Sequence, residues 1–317
     1  MKLVVTGACG LIGSSLTAVA LARGDTVTAI DNLMYGGHPP LLDLAGHPAL
    51  RFRRADIRDL PALEVILREA EPQAVAHLAA VVGAPACHRD PGLSAAVNVG
   101  GTANVVDVVG RVAPTAHVLF ASTDSTYGKV LNGVVTETTP LMPLSEYGRD
   151  KEAGERIVRG RCQRWTIARF ATAFGLSRRL RLDLMVNDFT WQAVHNRHLI
   201  VYESAFTRTF LHVSDIVRAI LLLLDSPDMT VARTFNVGDD RLNVSKADIA
   251  RAVADAVPGT TLNLLGEGVD PDQRNYAVDH AAIRDLRFEA QILLPQGIEE
   301  LVKGYAMMDV RTPWRNA

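Results

Sequence analysis

Two rhythms of apolar and polar positions alternate through the first half of this chain. "KLVVT" reads as a strand and "LIGSSLTAVALARG" as a helix closed by Gly24. "DTVTAID" is the next strand, "RFRRADI" a third, and a helix covers Leu60 to Ala70. "QAVAHLA" gives a fourth strand, Ser94 to Val112 a helix, and "AHVLFAS" a fifth strand. A helix from near Ser145 and the strand "WTIARF" extend the series. Apolar runs alternating with helical patterns predict an α/β fold with a doubly wound parallel sheet, covered by helices on both faces.

After Gly175 the rhythm loosens. "GLSRRLRLDLMVNDFTWQAVHN" reads as a basic turn followed by a helix. "HLIVYE" and "TRTFLHV" read as short strands, and "VSDIVRAILLLLDS" as an amphipathic helix. "TFNVGD" is a strand, and "SKADIARAVADAV" a helix that Ser245 is placed to cap. A long loop, "LGEGVDPDQRNYAVD", follows. The pattern divides the chain into residues 1–175 and a smaller lobe, 176–317, with the chain free to cross between them. No internal repeat or low-complexity tract is visible.

Composition narrows the class. The 317 residues are 48% hydrophobic and 21% charged, with a formal net charge of −2. No basic block stands out, which argues against a nucleic-acid partner. Cys9, Cys87 and Cys162 lack metal-ligand spacing and read as free thiols of a reducing cytoplasm. "MKLVVTGACG" has no signal-peptide features, and the longest apolar run, "AILLLL", is too short for a membrane span. The expectation is a soluble cytoplasmic protein.

The first chemical signal is "TGACGLIG", with Gly7, Gly10 and Gly13 between a strand and a helix. Glycines at this spacing allow a tight turn, room for a pyrophosphate, and close helix–strand packing. The helix start offers N–H groups to phosphates, here from Leu11 and Ile12. Asp31 ends the second strand, 18 residues after Gly13. A carboxylate there accepts from ribose hydroxyls and repels a 2′-phosphate, and no Arg follows in "DNLMYGG". The reading is therefore NAD rather than NADP. Asp56 in "ADIRD" either accepts from the adenine amino group or simply starts a helix.

The second signal is "STDSTYG", which sets Thr123, Asp124 and Tyr127 at a strand end. The third is "SEYGRDK", with Tyr147 and Lys151 at i and i+4 on one helix face. Free tyrosine has a pKa near 10, and bringing it to neutrality takes roughly 4 kcal/mol of differential interaction. A lysine ammonium and a cationic nicotinamide would supply it.

Taken together, "TGACGLIG", Asp31, "DIRD", "HLAA", "STDSTYG" and "YGRDK" resemble the extended short-chain dehydrogenase/reductase family, whose best-known members are nucleotide-sugar epimerases and dehydratases. The resemblance covers nearly the whole chain. It implies a Rossmann-type domain with a smaller C-terminal lobe for a nucleotide-diphosphate sugar, NAD as cofactor, and a homodimer through paired helices. By position, Thr123 matches the hydroxyl that meets the reacting sugar, Tyr147 the base, and Lys151 its partner. Asn32, Ile57, Leu78, Ala79, Ala80, Asn98 and Phe170 fall at cofactor positions. Val82, Asp124, Arg181, Asn187, Arg208 and Arg274 fall at substrate positions, Arg208 and Arg274 as diphosphate clamps. In "RFATAFG", Ala171 and Thr172 replace the family's aromatic and Asn.

The resemblance implies oxidation at C4 of the sugar, Tyr147 taking the hydroxyl proton while a hydride passes to NAD. An epimerase then returns the hydride to the other face, a 4,6-dehydratase removes water, and a dehydrogenase releases the ketone. Dehydratases of the family carry Thr-Asp-Glu, because elimination needs an acid and a base. This chain has Thr123 and Asp124 followed by Ser125. That favours a 4-epimerase, with a C4 dehydrogenase as runner-up. Longer stretches, "VVGAPACHRDP" and "ATAFGLSRRLRLDLMVNDFT" among them, resemble enzymes acting at C4 of nucleotide-activated heptoses. Arg178, Arg179 and Arg181 form either a solvated basic face or contacts to a phosphate or the sugar. Cys87 reads as part of a loop bordering the sugar. His88, His195, His198 and His212 lack metal spacing.

Overall fold

The computed structural model describes residues 1–36, 40–128, 130, 133–266 and 275–308. β1 (Lys2–Thr6), α1 (Leu11–Ala22), β2 (Thr26–Asp31), β3 (Leu50–Arg54), α2 (Leu60–Ala70) and β4 (Ala74–His77) follow in the predicted order. Two short helices come next, α3 (Ala84–Arg89) and α4 (Pro91–Ala95). A π-helical turn over Ala96–Gly101 joins them to α5 (Thr102–Val112). β5 (His117–Thr123), β6 (Val134–Val135), α6 (Glu146–Arg161) and β7 (Trp165–Phe170) follow.

The second half contains β8 (Thr172–Phe174), α7 (Met185–Asn196), β9 (His198–Val201), β10 (Thr207–His212), α8 (Val213–Asp225), α9 (Pro227–Thr230) and β11 (Arg233–Val237). It ends with β12 (Asn243–Ser245), α10 (Lys246–Ala256), β13 (Thr261–Leu264), β14 (Ala277–Val278), α11 (Ala281–Arg284) and α12 (Leu294–Tyr305). Ser245 caps α10, accepting from the Asp248 N–H while Asp248 accepts from the Ser245 N–H.

Seven strands form one parallel sheet in the order β11-β7-β5-β4-β1-β2-β3. The order reverses between β1 and β4, and this switch point opens the crevice where α/β proteins bind ligands. β11, the "TFNVGD" strand, belongs to this sheet, so the chain crosses back after building part of the second lobe. There, β10 pairs with β8 and β12, and β9 with β13.

β1 is buried on both faces, which explains its continuous apolar run. Leu3 and Val5 pack with Leu16 of α1 and with Ile216 and Ile220 of α8, in a core that runs on to Ile298 and Leu301 of α12. Val4 points the other way, toward Leu63, Leu67, Val105 and Val109 of α2 and α5.

One buried ion pair ties α6 to the sheet. Glu155 of α6 is fully buried and faces Arg169 of β7, whose Nε and Nη2 lie 2.8 and 2.7 Å from its two oxygens. The Ser122 hydroxyl of β5 donates to the same carboxylate at 2.6 Å, and Arg159 at 2.8 Å. Arg169 also donates to the Tyr127 hydroxyl, which donates to Asn236 of β11. The helix can approach this closely because Gly154 carries no side chain; a Cβ there would lie 2.5 Å from the Phe120 ring. Truncating one partner of such a pair strands the other's charge. Glu155→Ala is therefore expected to lower unfolding free energy by about 3–5 kcal/mol, measured by urea denaturation with no change in the slope of the transition.

Candidate active site

Gly7 follows β1 with a φ of +70°, a conformation that side chains resist. A Cβ on Gly7 would also sit 2.7 Å from the Ala79 nitrogen, so the turn touches the end of β4 through bare backbone. A Cβ on Gly13 would lie 2.1 Å from the Gly7 oxygen, so α1 packs directly on the turn. No side chain caps the start of α1 at Gly10. Its first N–H groups border a cavity of about 540 Å³, lined by Gly10, Leu11, Ile12 and Gly13 among others. A bare, uncapped helix start beside a roomy cradle fits a dinucleotide's phosphates.

Asp31 sits at the next strand end, oriented by N–H donation from Cys9 at 2.9 Å and Leu33 at 2.8 Å. Asn32 donates to Asp56 at 2.8 Å, and the Arg58 fork grips the same carboxylate at 2.9 and 2.8 Å. Hydrogen bonding from Arg58 holds the Asp56 carboxyl well below the usual carboxylate range. Asp31, Asn32, Asp56 and Ile57 all line the cavity, as do Leu78, Ala79, Ala80, Val82 and Phe170.

Thr123 closes β5 in the same cavity. Its hydroxyl lies 3.2 Å from an Asp124 oxygen and 3.1 Å from the Ser125 hydroxyl, and it accepts from the Ser125 N–H. α6 starts at Ser145, which accepts from the Gly148 N–H, and so aims Tyr147 and Lys151 at the end of β5. Lys151 is buried; its ammonium donates to the Ala121 carbonyl at 2.7 Å and lies 5.9 Å from the centre of the Tyr147 ring. Burial brings the Lys151 pKa down to about 8. Below it, His77 donates or accepts with the Thr6 and Thr102 hydroxyls, and burial pushes its pKa down to about 3, leaving it neutral.

Several sequence readings are corrected by the geometry. Asn98 does not line the cavity. It lies in the π-helical turn and spends its amide on the Val81 backbone, accepting at 2.8 Å and donating at 3.0 Å. Asn187, expected at the substrate, is fully buried; it accepts from the Gly175 N–H and donates to the Gly175 and Arg181 carbonyls. Both shape loops that do line the cavity. Tyr127 of "STDSTYG" is buried in the Arg169 network, where burial pushes its pKa up to about 12. Cys87 lies in α3 rather than a loop, fully buried, its thiol donating to the Val81 carbonyl.

The three arginines of the basic turn separate. Arg178 points outward to Asp43, whereas Arg179 and Arg181 line the cavity. Arg181 pairs with Asp183 at 2.5 Å, and Arg208 lines the wall from β10. Arg274 lies outside the described residues. Ser125, Tyr35 and Asp183 also line the cavity without having been assigned to it from the sequence. For Tyr35 the available signal was an aromatic residue four positions beyond Asp31, ahead of a glycine pair. Among the described residues, no group of three potential metal ligands exists, and no helix is long and apolar enough to cross a membrane.

The model of the NAD dependent epimerase/dehydratase family matches residues 3–238. The chain belongs to that family. A dTDP-glucose 4,6-dehydratase of Streptomyces griseus is 30% identical over 96% of this chain and 93% of its own length. A UDP-glucuronic acid decarboxylase of Arabidopsis thaliana is 27% identical over 96% of this chain and 70% of its own. Among solved structures, the UDP-glucose 4-epimerase of Thermus thermophilus in complex with NAD superposes with a TM-score of 0.82 at 25% identity, covering 96% of this chain and 99% of that one. NAD is the cofactor of this family member, and the glycine cradle, the uncapped α1 and Asp31 are the groups that would hold it.

The lysine yields a pH test. In the folded, nucleotide-free chain Lys151 loses its proton near 8, whereas an unfolded lysine holds it to about 10.5. Between these values the unfolded state binds more protons, so stability rises with pH. The melting temperature of the wild type is expected to climb relative to that of Lys151→Met from about pH 8 to 10.5. A constant difference would contradict it.

Proposed function

We propose that the chain is an NAD-dependent nucleotide-sugar 4-epimerase that works through a transient 4-keto sugar, with nucleotide-activated heptoses as the substrate class. The second lobe, from about residue 176, supplies most of the contacts to the nucleotide sugar in this reading. Bound NAD supplies the hydride acceptor at C4 and later the hydride donor. The chain's own residues handle the proton and the geometry. Tyr147 takes the proton from the C4 hydroxyl and gives it back, and the nearby Lys151 ammonium favours the phenolate. The Thr123 hydroxyl, which at rest hydrogen-bonds with Asp124 and Ser125, turns to the sugar hydroxyl and fixes its direction.

Ser125 carries the choice of reaction. Elimination of water across C5–C6 needs a base as well as an acid. Of the aspartates lining the cavity, Asp31 ends β2 and Asp56 follows β3, three and four places along the sheet from β5, and Asp183 is paired with Arg181. Among the described residues that line the cavity, Asp124 therefore stands beside the Thr123 and Ser125 hydroxyls and not beside a second carboxylate. The same carboxylate favours a neutral sugar with hydroxyls beyond C5, as in a heptose, and disfavours a uronate of the kind named for the decarboxylase relative.

Candidate nucleotide sugars incubated in deuterated water and followed by NMR test the reading. C4 epimers are expected to interconvert without taking up solvent deuterium. Deuterium at C5 with loss of water would instead mark a dehydratase, and a stable ketone with stoichiometric reduced cofactor a dehydrogenase. Tyr147→Phe is expected to keep NAD affinity while losing about 100-fold or more in turnover; unchanged turnover would remove Tyr147 from the proton path.

A further inference from the structure

The loop between β8 and α7 lies across the cofactor cradle, although it comes from the second half of the chain. The Ser177 hydroxyl donates to the Leu11 carbonyl at 2.6 Å, at the first turn of α1, and lies 3.4 Å from the Ser15 hydroxyl. Arg178 pairs with Asp43 on the far side. Asn187 holds the loop from behind, through Gly175 and Arg181. Between these tethers, Arg179 is nine-tenths buried, lines the cavity, and stacks its guanidinium over Tyr35 at 5.2 Å. Tyr35 belongs to the loop after Asp31 on the opposite lip. Arg181 turns the other way: it pairs with Asp183 and lies beside Gly83.

We infer that Arg179 is a ligand for the diphosphate of the dinucleotide, brought to the glycine-rich turn by a loop that straps the cradle shut. A guanidinium facing an uncapped helix start forms a two-sided anion site, with backbone N–H groups on one wall and a planar fork on the other. The Tyr35 ring fixes the plane of that fork. The glycine turn alone supplies only partial charges, and Arg179 adds the full one. The strap is anchored on Leu11 and Asp43, on either side of Arg179. The assignment rests on NAD being the cofactor and not on the direction or product of the sugar chemistry.

Binding to the full chain, freed of nucleotide, tests it with NAD, ADP-ribose, adenosine and UDP as probes. Arg179→Met is expected to weaken NAD and ADP-ribose by about 10- to 100-fold, to leave adenosine and UDP unchanged, and to reduce the NAD retained through purification. Arg179→Lys keeps the stem and the charge but loses the fork. It should show the same order of losses at smaller size, and it preserves the test if the Met variant folds poorly. Equal affinity of wild type and variants for ADP-ribose would overturn the assignment. So would a selective loss of UDP, which would place Arg179 on the sugar-nucleotide side. Because no sugar turnover is measured, failure here is distinct from failure of the epimerase reading.

Discussion

The geometry of this site depends on a charge pair that does not line its cavity. Tyr147, Lys151 and Glu155 follow one another at four-residue steps on a single face of α6. The first two face the cavity and the third is gripped by Arg169, Ser122 and Arg159. Desolvating these groups costs so much that the pair contributes little net stability. Its effect is registry. A quarter-turn roll of α6 would leave a carboxylate or a guanidinium buried without its partner. Ser122 precedes Thr123, so the same carboxylate fixes the strand end and the helix that bring Thr123, Tyr147 and Lys151 to one cavity.

The cavity is electrically graded. Its β2–β3 end carries Asp31 and Asp56, acceptors suited to ribose hydroxyls and an adenine amine. Its middle offers the helix N–H groups and the guanidinium of Arg179, and its β5 end has the buried ammonium of Lys151. A ligand with hydroxyls at one end and phosphates at the centre matches that order. A fully anionic or fully apolar ligand does not.

The sheet was legible in the sequence because strands buried on both faces carry continuous apolar runs, as "LVV" and "VLFA" do within "KLVVT" and "HVLFA". The glycine turn and the Tyr147/Lys151 spacing were legible because local geometry dictates residue type there. Asn98 and Asn187 misled for a physical reason: a polar residue near a site looks the same in sequence whether it faces a ligand or satisfies a backbone amide. Tyr127 misled in the same way. Tyr35 and Arg179 meet across more than 140 residues, a juxtaposition that no local pattern encodes. The return of "TFNVGD" to the main sheet was equally invisible, since pairing partners depend on topology and not on the strand's own composition.

That return has a consequence for how the chain is made. β7 ends at Phe170, and the strand that covers its outer edge does not begin until Arg233. During synthesis, at about 5–20 residues per second, the nascent sheet exposes an unpaired, apolar edge for several seconds while the intervening segment emerges. An open edge of that kind is a template for pairing with other chains. The nascent protein is therefore exposed to such pairing in that interval, after α6 and β7 have been translated and before their sheet is closed.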